Sequence, residues 1–299
     1  MAKFSFRNCT ASDKIFYVII FAILTGFFLA VLYPCVFVVS ASISSADAIL
    51  SGRVILLPVG LNFEGYKTVF NTSNVWIGFR NSILYTSASI ILAVSLTMTT
   101  AYCLSRTDLP GGNFIMLLFT FTMFFSGGII PSYMLIRSLG FLNTPLAVIV
   151  PGSIGVFNMI IARTFIRHNI PGELLDSARI DGCSDIGFFI KIVLPLSQAI
   201  IAVLVLFYGV SNWNAFFGPM IYLSNRSLFP LTLFLREILM LGQIDPSTVT
   251  DPEMQMRLAE AAAVIRYALI IVTIIPVVVL YPFVQKYFIQ GIMIGSIKG

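Results

Sequence analysis

The sequence predicts an all-α integral membrane protein with about six transmembrane helices. Three observations carry that reading. Of the 299 residues, 58% are hydrophobic and only 10% are charged, against roughly 25% charged in an average soluble domain. The 18 Lys+Arg and 13 Asp+Glu cannot supply the polar surface that a water-soluble globule of this length needs. Six stretches are also apolar enough to cross a bilayer, which takes about 20 consecutive, mostly apolar residues. The same composition excludes disorder, collagen-like repeats and disulfide-stapled mini-domains.

The first span, 16–40, follows Lys3, Arg7 and Lys14, as the core of a signal peptide would. Its apolar run of about 25 residues exceeds the 7–15 of a signal sequence, and no A-x-A site ends it. It therefore reads as an uncleaved first helix behind an N-terminus of residues 1–15. The second span is 82–105. The third, 114–131, is interrupted early by Gly127, Gly128 and Pro131, breaks that a membrane tolerates where neighbouring helices or water satisfy the freed backbone. The fourth, fifth and sixth are 144–166, 196–219 and 264–288, and a tail of residues 289–299 follows.

An even number of spans puts both ends on one side. With the ends inside, ten Lys and Arg fall on the inner side and eight on the outer. Five of those eight lie in or beside the long 220–263 stretch, or deep in the first loop. The positive-inside rule discounts such positions, so the N- and C-termini are expected in the cytoplasm.

Several function classes drop out. Cys9, Cys35, Cys103 and Cys183 form no C-x-x-C pair and have no His at metal-ligand spacing, so no metal site is expected. The net charge of +5 is dispersed rather than clustered as phosphate readers require, so nucleic acid is not a partner. The excess instead reads as orientation and headgroup contact in a lipid bilayer. The middles of the spans lack ionisable groups, the nearest being Arg80, Arg163 and Arg266 at their ends. Ion-coupled carriers place such groups at membrane depth. The single histidine, His168, sits on an inner loop without the partners of a catalytic triad, so the chain reads as non-catalytic. No G-x-x-x-x-G-K-[ST] phosphate loop is present. If the protein pumps, its energy comes from another polypeptide.

The inner loop, 167–195, is the specific part. Pro171 suits a helix start, with acids favoured in the first turn. Leu174, Leu175, Ala178 and Ile180 give that helix an apolar side, and Gly182 can stop it in the left-handed conformation. A second amphipathic stretch, Ile186 to Val193, returns to the membrane at Pro195. A plain connector needs only a few residues. The length of this one and its apolar Leu, Ile and Phe residues argue for a docking surface.

This loop resembles the signature of ABC-importer permeases: Glu-Ala-Ala, three residues, Gly, nine residues, Ile-x-Leu-Pro. Here the pattern is Asp176-Ser177-Ala178, three residues, Gly182, nine residues, Ile192-Val193-Leu194-Pro195. Asp replaces Glu and Ser replaces Ala, which keeps the acidic charge and the small size. With Asp181 before Gly182 and Ile170-Pro171-Gly172-Glu173-Leu174 upstream, the loop is similar to the carbohydrate branch, the MalG-type half. Further on, Tyr208-Gly209-Val210-Ser211-Asn212-Trp213-Asn214 resembles the Trp-Asn segment of the family. Phe229-Pro230-Leu231 to Arg236-Glu237-Ile238-Leu239 is similar to its oligo- and polysaccharide sub-branch, and Gly291 to Gly299 is also family-like.

The resemblance implies an ATP-driven carbohydrate importer in the bacterial cytoplasmic (inner) membrane. Its other parts would be a second, homologous permease, two ATP-binding subunits and an extracytoplasmic solute-binding protein. ATP and Mg would be used by the partner ATPases, and this chain would bind no cofactor. Glu173, Asp176, Ser177, Ala178, Asp181, Gly182, Ile192, Leu194 and Pro195 would form the ATPase-coupling element. There Gly182 would set the turn, Ala178 would allow close approach, and Glu173 and Asp176 would offer charge to basic partners. As a plain alternative, Gly182 only stops a helix.

Tyr208, Asn212, Trp213 and Asn214 are candidates for the translocation path, because an aromatic face with amides suits sugar rings. Interfacial anchoring by Trp and helix adhesion by Asn would explain the same residues. The outer segment, 220–263, would meet the binding protein, although amphipathic packing explains its Leu-rich 228–241 stretch equally well. The tail would reach between the ATPases, or else is a frayed end. An ion-coupled secondary transporter of a small polar solute is the alternative function. It would need coupling acids or broken-helix sites in inverted halves.

Overall fold

The computed structural model describes residues 10–241 and 252–296, and among these every regular element is helical. Asp245 and Asp251 of the outer segment, Lys3, Arg7 and Cys9 at the start, and the last three residues of the tail lie outside the described residues. The chain forms two compact units, one from residues up to 71 together with 237–272, the other from 72–236 together with 273 onward.

In the first unit, Thr10 opens a helix of 32 residues, Ala11–Ser42. Its hydroxyl accepts the Asp13 amide at 3.3 Å while the Asp13 carboxylate accepts the Thr10 amide at 3.1 Å, a capping box that satisfies two otherwise orphaned donors. The apolar window of this helix is wholly exposed, as expected of side chains that face lipid. Beyond it, Ser44 and Ser42 anchor the following loop: the Val59 amide donates to Ser44 Oγ at 3.1 Å and Tyr66 OH donates to Ser42 Oγ at 2.8 Å. The Glu64–Asn71 helix comes so near the last helix that a Cβ on Gly65 would stand 2.7 Å from the Val264 carbonyl.

The second unit is built on the 33-residue helix Ser73–Ser105, whose buried side carries Gly78, Ser82, Ser89, Ala93, Thr97 and Ala101. Small residues at helical spacing let neighbours approach closely without a hydrophobic drive, the usual solution in lipid. Val156–Asn169 and Gln198–Trp213 pack against it, with Met98, Met159 and Leu204 fully buried between them. Asn81 Nδ2 donates to the Ser227 and Phe229 carbonyls at 2.8 and 3.1 Å, and Tyr85 OH donates to the Leu228 carbonyl at 2.9 Å. These bonds strap the 226–231 segment to the central helix.

All six expected spans correspond to helices, but only three are continuous. Ala11–Ser42, Ser73–Ser105 and the apolar part of Pro252–Ser296 are long enough to cross on their own. The third is Gly112–Phe124 and then Ile129–Ser138, bent by 115°. Gly128 makes that bend, at φ +82° and ψ −179°, a region essentially closed to other residues. The fourth is split between Leu146–Ile149 and Val156–Asn169 by Pro151 and Gly152 (φ +75°). The second piece has 14 residues and so is only about 21 Å long. The fifth is preceded by Asp185–Leu196, from which Gln198–Trp213 departs at 79°. Pro195 cannot donate to the carbonyl one turn back, and Phe189–Val193 just before it widens into a π-turn, a distortion that often marks functional sites. The segment Phe217–Tyr222, expected as the end of this span, is a separate short helix.

Candidate functional site

The loop between the fourth and fifth segments is helix, turn, helix. Val156–Asn169 ends with Arg167 and His168 in its last turn, where the helix dipole favours cations. Pro171 serves as the N-cap of Gly172–Ile180, so the helix begins one residue later than expected. Its C-terminus is a full Schellman motif. The Gly182 amide donates to the Arg179 carbonyl at 3.0 Å and the Cys183 amide to the Ala178 carbonyl at 2.8 Å. Gly182 stands at φ +76°, which this motif requires and glycine supplies without strain. The second helix restarts at Ser184, whose hydroxyl accepts the Gly187 amide at 3.1 Å.

The apolar residues of the first loop helix do not share one side. Leu175 and Ala178 turn inward and join the core with Ile166 and Phe188. Glu173, Asp176, Ser177 and Ile180 lie on the opposite side, all exposed, with Ile180 at 87%. Asp181 is exposed at the turn, and Ile186 and Ile190 continue the apolar exposure. Two expectations need correction. Ala178 allows close approach, but to Phe188 and its neighbours in this chain rather than to a partner. The phenylalanines of the loop, Phe188 and Phe189, also face inward, because Tyr102 stacks on Phe189 at 5.1 Å. Ile192 and Leu194 likewise pack against the core, while Pro195 remains exposed.

What fixes the loop was not visible in the sequence. Arg106, just past the end of the central helix, grips Asp108 with two hydrogen bonds of 2.8 and 2.5 Å and reaches Asp185 at 2.6 Å. Arg179, on the loop helix, reaches Asp108 at 3.1 Å and Asp185 at 3.7 Å. The four charges alternate in a closed ring. Arg106 holds the Asp108 carboxyl well below the ordinary carboxylate range, with Arg179 adding to the effect. Asp108 and then Asp185 hold Arg106 above its already high value. Arg106 and Asp108 sit in the short loop between the second and third segments, and Arg179 and Asp185 fall in the variable stretches of the signature. The two pairs that join the loops, Arg179–Asp108 and Arg106–Asp185, are 71 and 79 residues apart, so no local pattern joins them.

The candidates of the fifth segment separate. Trp213 is buried, donates its indole N–H to the Thr273 carbonyl at 2.9 Å, and meets Phe79 edge-on at 6.0 Å. These contacts fasten helices together, and the residue also lines a cavity of about 430 Å³ with Ile83, Ile90 and Leu280. Trp213→Phe keeps most of that packing and removes one hydrogen bond, a cost of about 0.5–1.5 kcal/mol. The expected result is a slightly lower melting temperature with uptake preserved. A tenfold loss of uptake at normal expression would return Trp213 to the path. Tyr208 is buried, with its hydroxyl 2.7 Å from Thr97 Oγ1 and accepting the Gly155 amide at 3.0 Å. Asn212 and Asn214 each donate to the carbonyl one turn back at 2.9 Å. Asn212 lines a cavity of about 350 Å³, and Asn214 is exposed.

A family of transport proteins, described as "Binding-protein-dependent transport system inner membrane component", matches residues 109–294, well over half of the chain and including the whole loop. The chain belongs to this family. The permease is 37% identical over 287 residues to the polygalacturonan/rhamnogalacturonan transport system permease protein YtcP of Bacillus subtilis, covering 96% of this chain and 99% of that one. It is 34% identical to protein LplC of the same organism over the full length of both. It is 28% identical to the arabinooligosaccharides transport system permease protein AraQ of Halalkalibacterium halodurans, over 91% of this chain and 92% of that one. Among solved structures, a chain of a bacterial ABC transporter involved in the import of the acidic polysaccharide alginate superposes with a TM-score of 0.83 at 30% identity, covering 94% of this permease and 99% of that chain. The all-α membrane fold and the permease assignment expected from the loop signature agree with these relatives.

Proposed function

We propose that this permease is one of two membrane halves of an ATP-driven importer of oligo- or polysaccharides, fed by an extracytoplasmic binding protein and driven by two ATPase subunits. Uronic-acid polymers are the first substrates to test, since the names of two similar proteins refer to polygalacturonan and to the acidic polysaccharide alginate. The observation that carries the coupling half of this reading is the exposed face of the loop. Glu173, Asp176, Ser177 and Ile180 stand out from a helix whose other side is locked into the core. Leu174, Ile180, Ile186 and Ile190 are all exposed along the two loop helices, and it is several exposed apolar residues on one loop, not a single one, that mark an interaction surface. In this reading the face seats in a cleft of an ATPase. The loop must fit the two ATPase arrangements unequally, or no energy passes to the membrane helices. The loop and both termini then lie in the cytoplasm, ATP and Mg act on the partner subunits, and the outer segment meets the binding protein.

The test is a mild-detergent purification of the tagged chain with mass spectrometry of what accompanies it, and cross-linking from an Ile180→Cys variant. An ATP-binding subunit and a second permease are the expected companions. A chain that comes out alone, and gives no cross-link to an ATPase at that position, overturns the proposal.

A further inference from the structure

We propose that the cavity behind the first loop helix seats the headgroup of a zwitterionic phospholipid, with its phosphate on Arg167 and its ammonium on Asp176. The inner leaflet follows from the cytoplasmic placement of the loop proposed above, and nothing else in the site depends on the importer reading. Three observations converge on it.

The first is the place. Arg106 follows Ser105, where the central helix ends, and Arg167 stands in the last turn of Val156–Asn169. The apolar runs of the second and fourth spans stop at these residues, so the charges lie where hydrocarbon gives way to water. Lipid headgroups occupy that boundary, and basic pockets between helices at the cytoplasmic surface bind them. Between the two helix ends and the loop helix lies a cavity of about 290 Å³, near the lower end of the roughly 300–1,000 Å³ of ligand pockets. That volume suits a headgroup rather than a whole lipid.

The second is the charge left over. The cavity is lined by Arg106, Arg167, Arg179, Asp108 and Asp176. Arg106, Arg179 and Asp108 are spent in the ring with Asp185. The side chains of Arg167 and Asp176 have no ion pair or hydrogen bond, with each other or with any of the described residues. A bare anion would meet Asp176 and a bare cation would meet Arg167, whereas a group carrying both signs finds a partner for each. The guanidinium fork suits a phosphate, and the carboxylate accepts from an ammonium that keeps its protons. Gly172, also on the wall, is the first residue of the loop helix, and its amide has no partner among the described residues. The helix dipole therefore reinforces Arg167.

The third is a place for the chains. A second cavity, of about 380 Å³, shares Tyr102, Arg106 and Asp108 with the first, and past the ring its walls include Leu109, Ile186 and Phe189. Thr99 and Cys103, one turn apart on the central helix and both exposed, carry it back along the span. An acyl chain gains by filling such an apolar continuation. A soluble phosphate ester would leave it empty, so the occupant is a lipid.

The test uses the complete importer, purified in mild detergent and followed by native mass spectrometry with added phosphatidylethanolamine, phosphatidylglycerol or phosphatidylcholine. Phosphatidylethanolamine is expected to stay bound at least fivefold more than either competitor. Arg167→Gln and Asp176→Asn should each lower its retention at least fivefold, and in the wild type it should slow hydrogen exchange of the Gly172–Ile180 amides at least fivefold. Either competitor held as tightly, or retention unchanged in both variants, overturns the site. Soluble glycerophosphoethanolamine that displaces the lipid at equal concentration would make the occupant a cytoplasmic solute and overturns the lipid assignment. If the variants fail to assemble, the comparison of lipids and the exchange rates of the wild type decide. None of these readouts needs ATP. A chain that purifies without an ATPase fails the importer reading while the lipid comparison can still be made on it, and an assembled importer with no lipid preference fails this site alone.

Discussion

Replacing Gly182 by aspartate is expected to abolish uptake while membrane insertion and expression stay normal. The turn demands a left-handed residue, and an ordinary L-residue there costs roughly 1–2 kcal/mol. That is a fraction of the roughly 5–15 kcal/mol by which folded domains are stable. A Cβ at Gly182 meets nothing within 4 Å in this chain, so steric damage inside the permease cannot account for a complete loss. The obstruction would have to come from a partner seated on the turn, beside the exposed Asp181 and the face of Glu173 and Asp176. Alanine separates the two causes. It carries at least as much backbone strain as aspartate, which tolerates this conformation comparatively well, but adds neither charge nor much volume. Uptake by proteoliposomes should therefore fall severalfold at most for Gly182→Ala and below detection for Gly182→Asp. Equal losses in the two variants would reduce Gly182 to a helix stop.

The difference between what the sequence showed and what it hid follows from the range of the interactions. Composition and runs of apolar residues report on the solvent, and each of the six expected stretches is largely helical, although only three are single helices long enough to cross a bilayer. The break in the third span was readable as a break, because Gly128 acts through its own backbone and stands at positive φ. The one at Pro151 and Gly152, inside the expected span 144–166, was not anticipated, although Gly152 also stands at positive φ. The consequences were not readable. Whether a broken span bends by 115° or reads through depends on which helices pack beside it, and those contacts join residues far apart in the chain. The loop was legible for the same local reason, since the glycine of a Schellman turn and its spacing from Ala178 are written in a few consecutive residues. Which side of the loop helix faces out was not. Leu174, Leu175, Ala178 and Ile180 are all apolar, and only the contacts of Leu175 and Ala178 with Ile166 and Phe188 show that Ile180 is left outside. The packing role of Trp213 was hidden for a related reason. Its indole N–H is tied to a carbonyl 60 residues away, a partner that no neighbouring residue announces.

Breaking the ring of four charges is expected to uncouple ATP hydrolysis from transport. Individually, exposed ion pairs are worth about 0–1 kcal/mol, and three of these groups are half exposed. Arg106 is different: its side chain is only 14% exposed, it bonds two carboxylates, and its guanidinium lies over the Tyr102 ring at 5.9 Å. It stands just past Ser105, the last residue of the central helix, and the short loop carrying Asp108 leads into Gly112–Phe124. A push on the loop helix at Arg179 therefore reaches both helices through Asp108 and Asp185. Asp108→Arg sets three cations together, and Arg179→Asp leaves Arg106 facing three acids. Each single change should lower uptake per ATP hydrolysed tenfold or more. The double change swaps the charges of positions 108 and 179, so those two positions again attract each other while Arg106 keeps Asp185. It should recover at least a third of wild-type coupling. A double variant no better than either single one would show that the ring only covers the surface. The pH dependence has a definite sign. Asp108 in the folded chain titrates below its ordinary value of about 3.9, held down first by Arg106 and then by Arg179. A depressed carboxylate contributes stability that is fully present above the unfolded value and fades as the pH falls through the folded one. The attachment of the loop should thus be insensitive to pH from neutrality to about pH 4 and loosen only below that. Hydrogen exchange of the Gly172–Ile180 amides, followed against pH, checks this, and a release already under way near neutrality would show that the ring does not hold the loop.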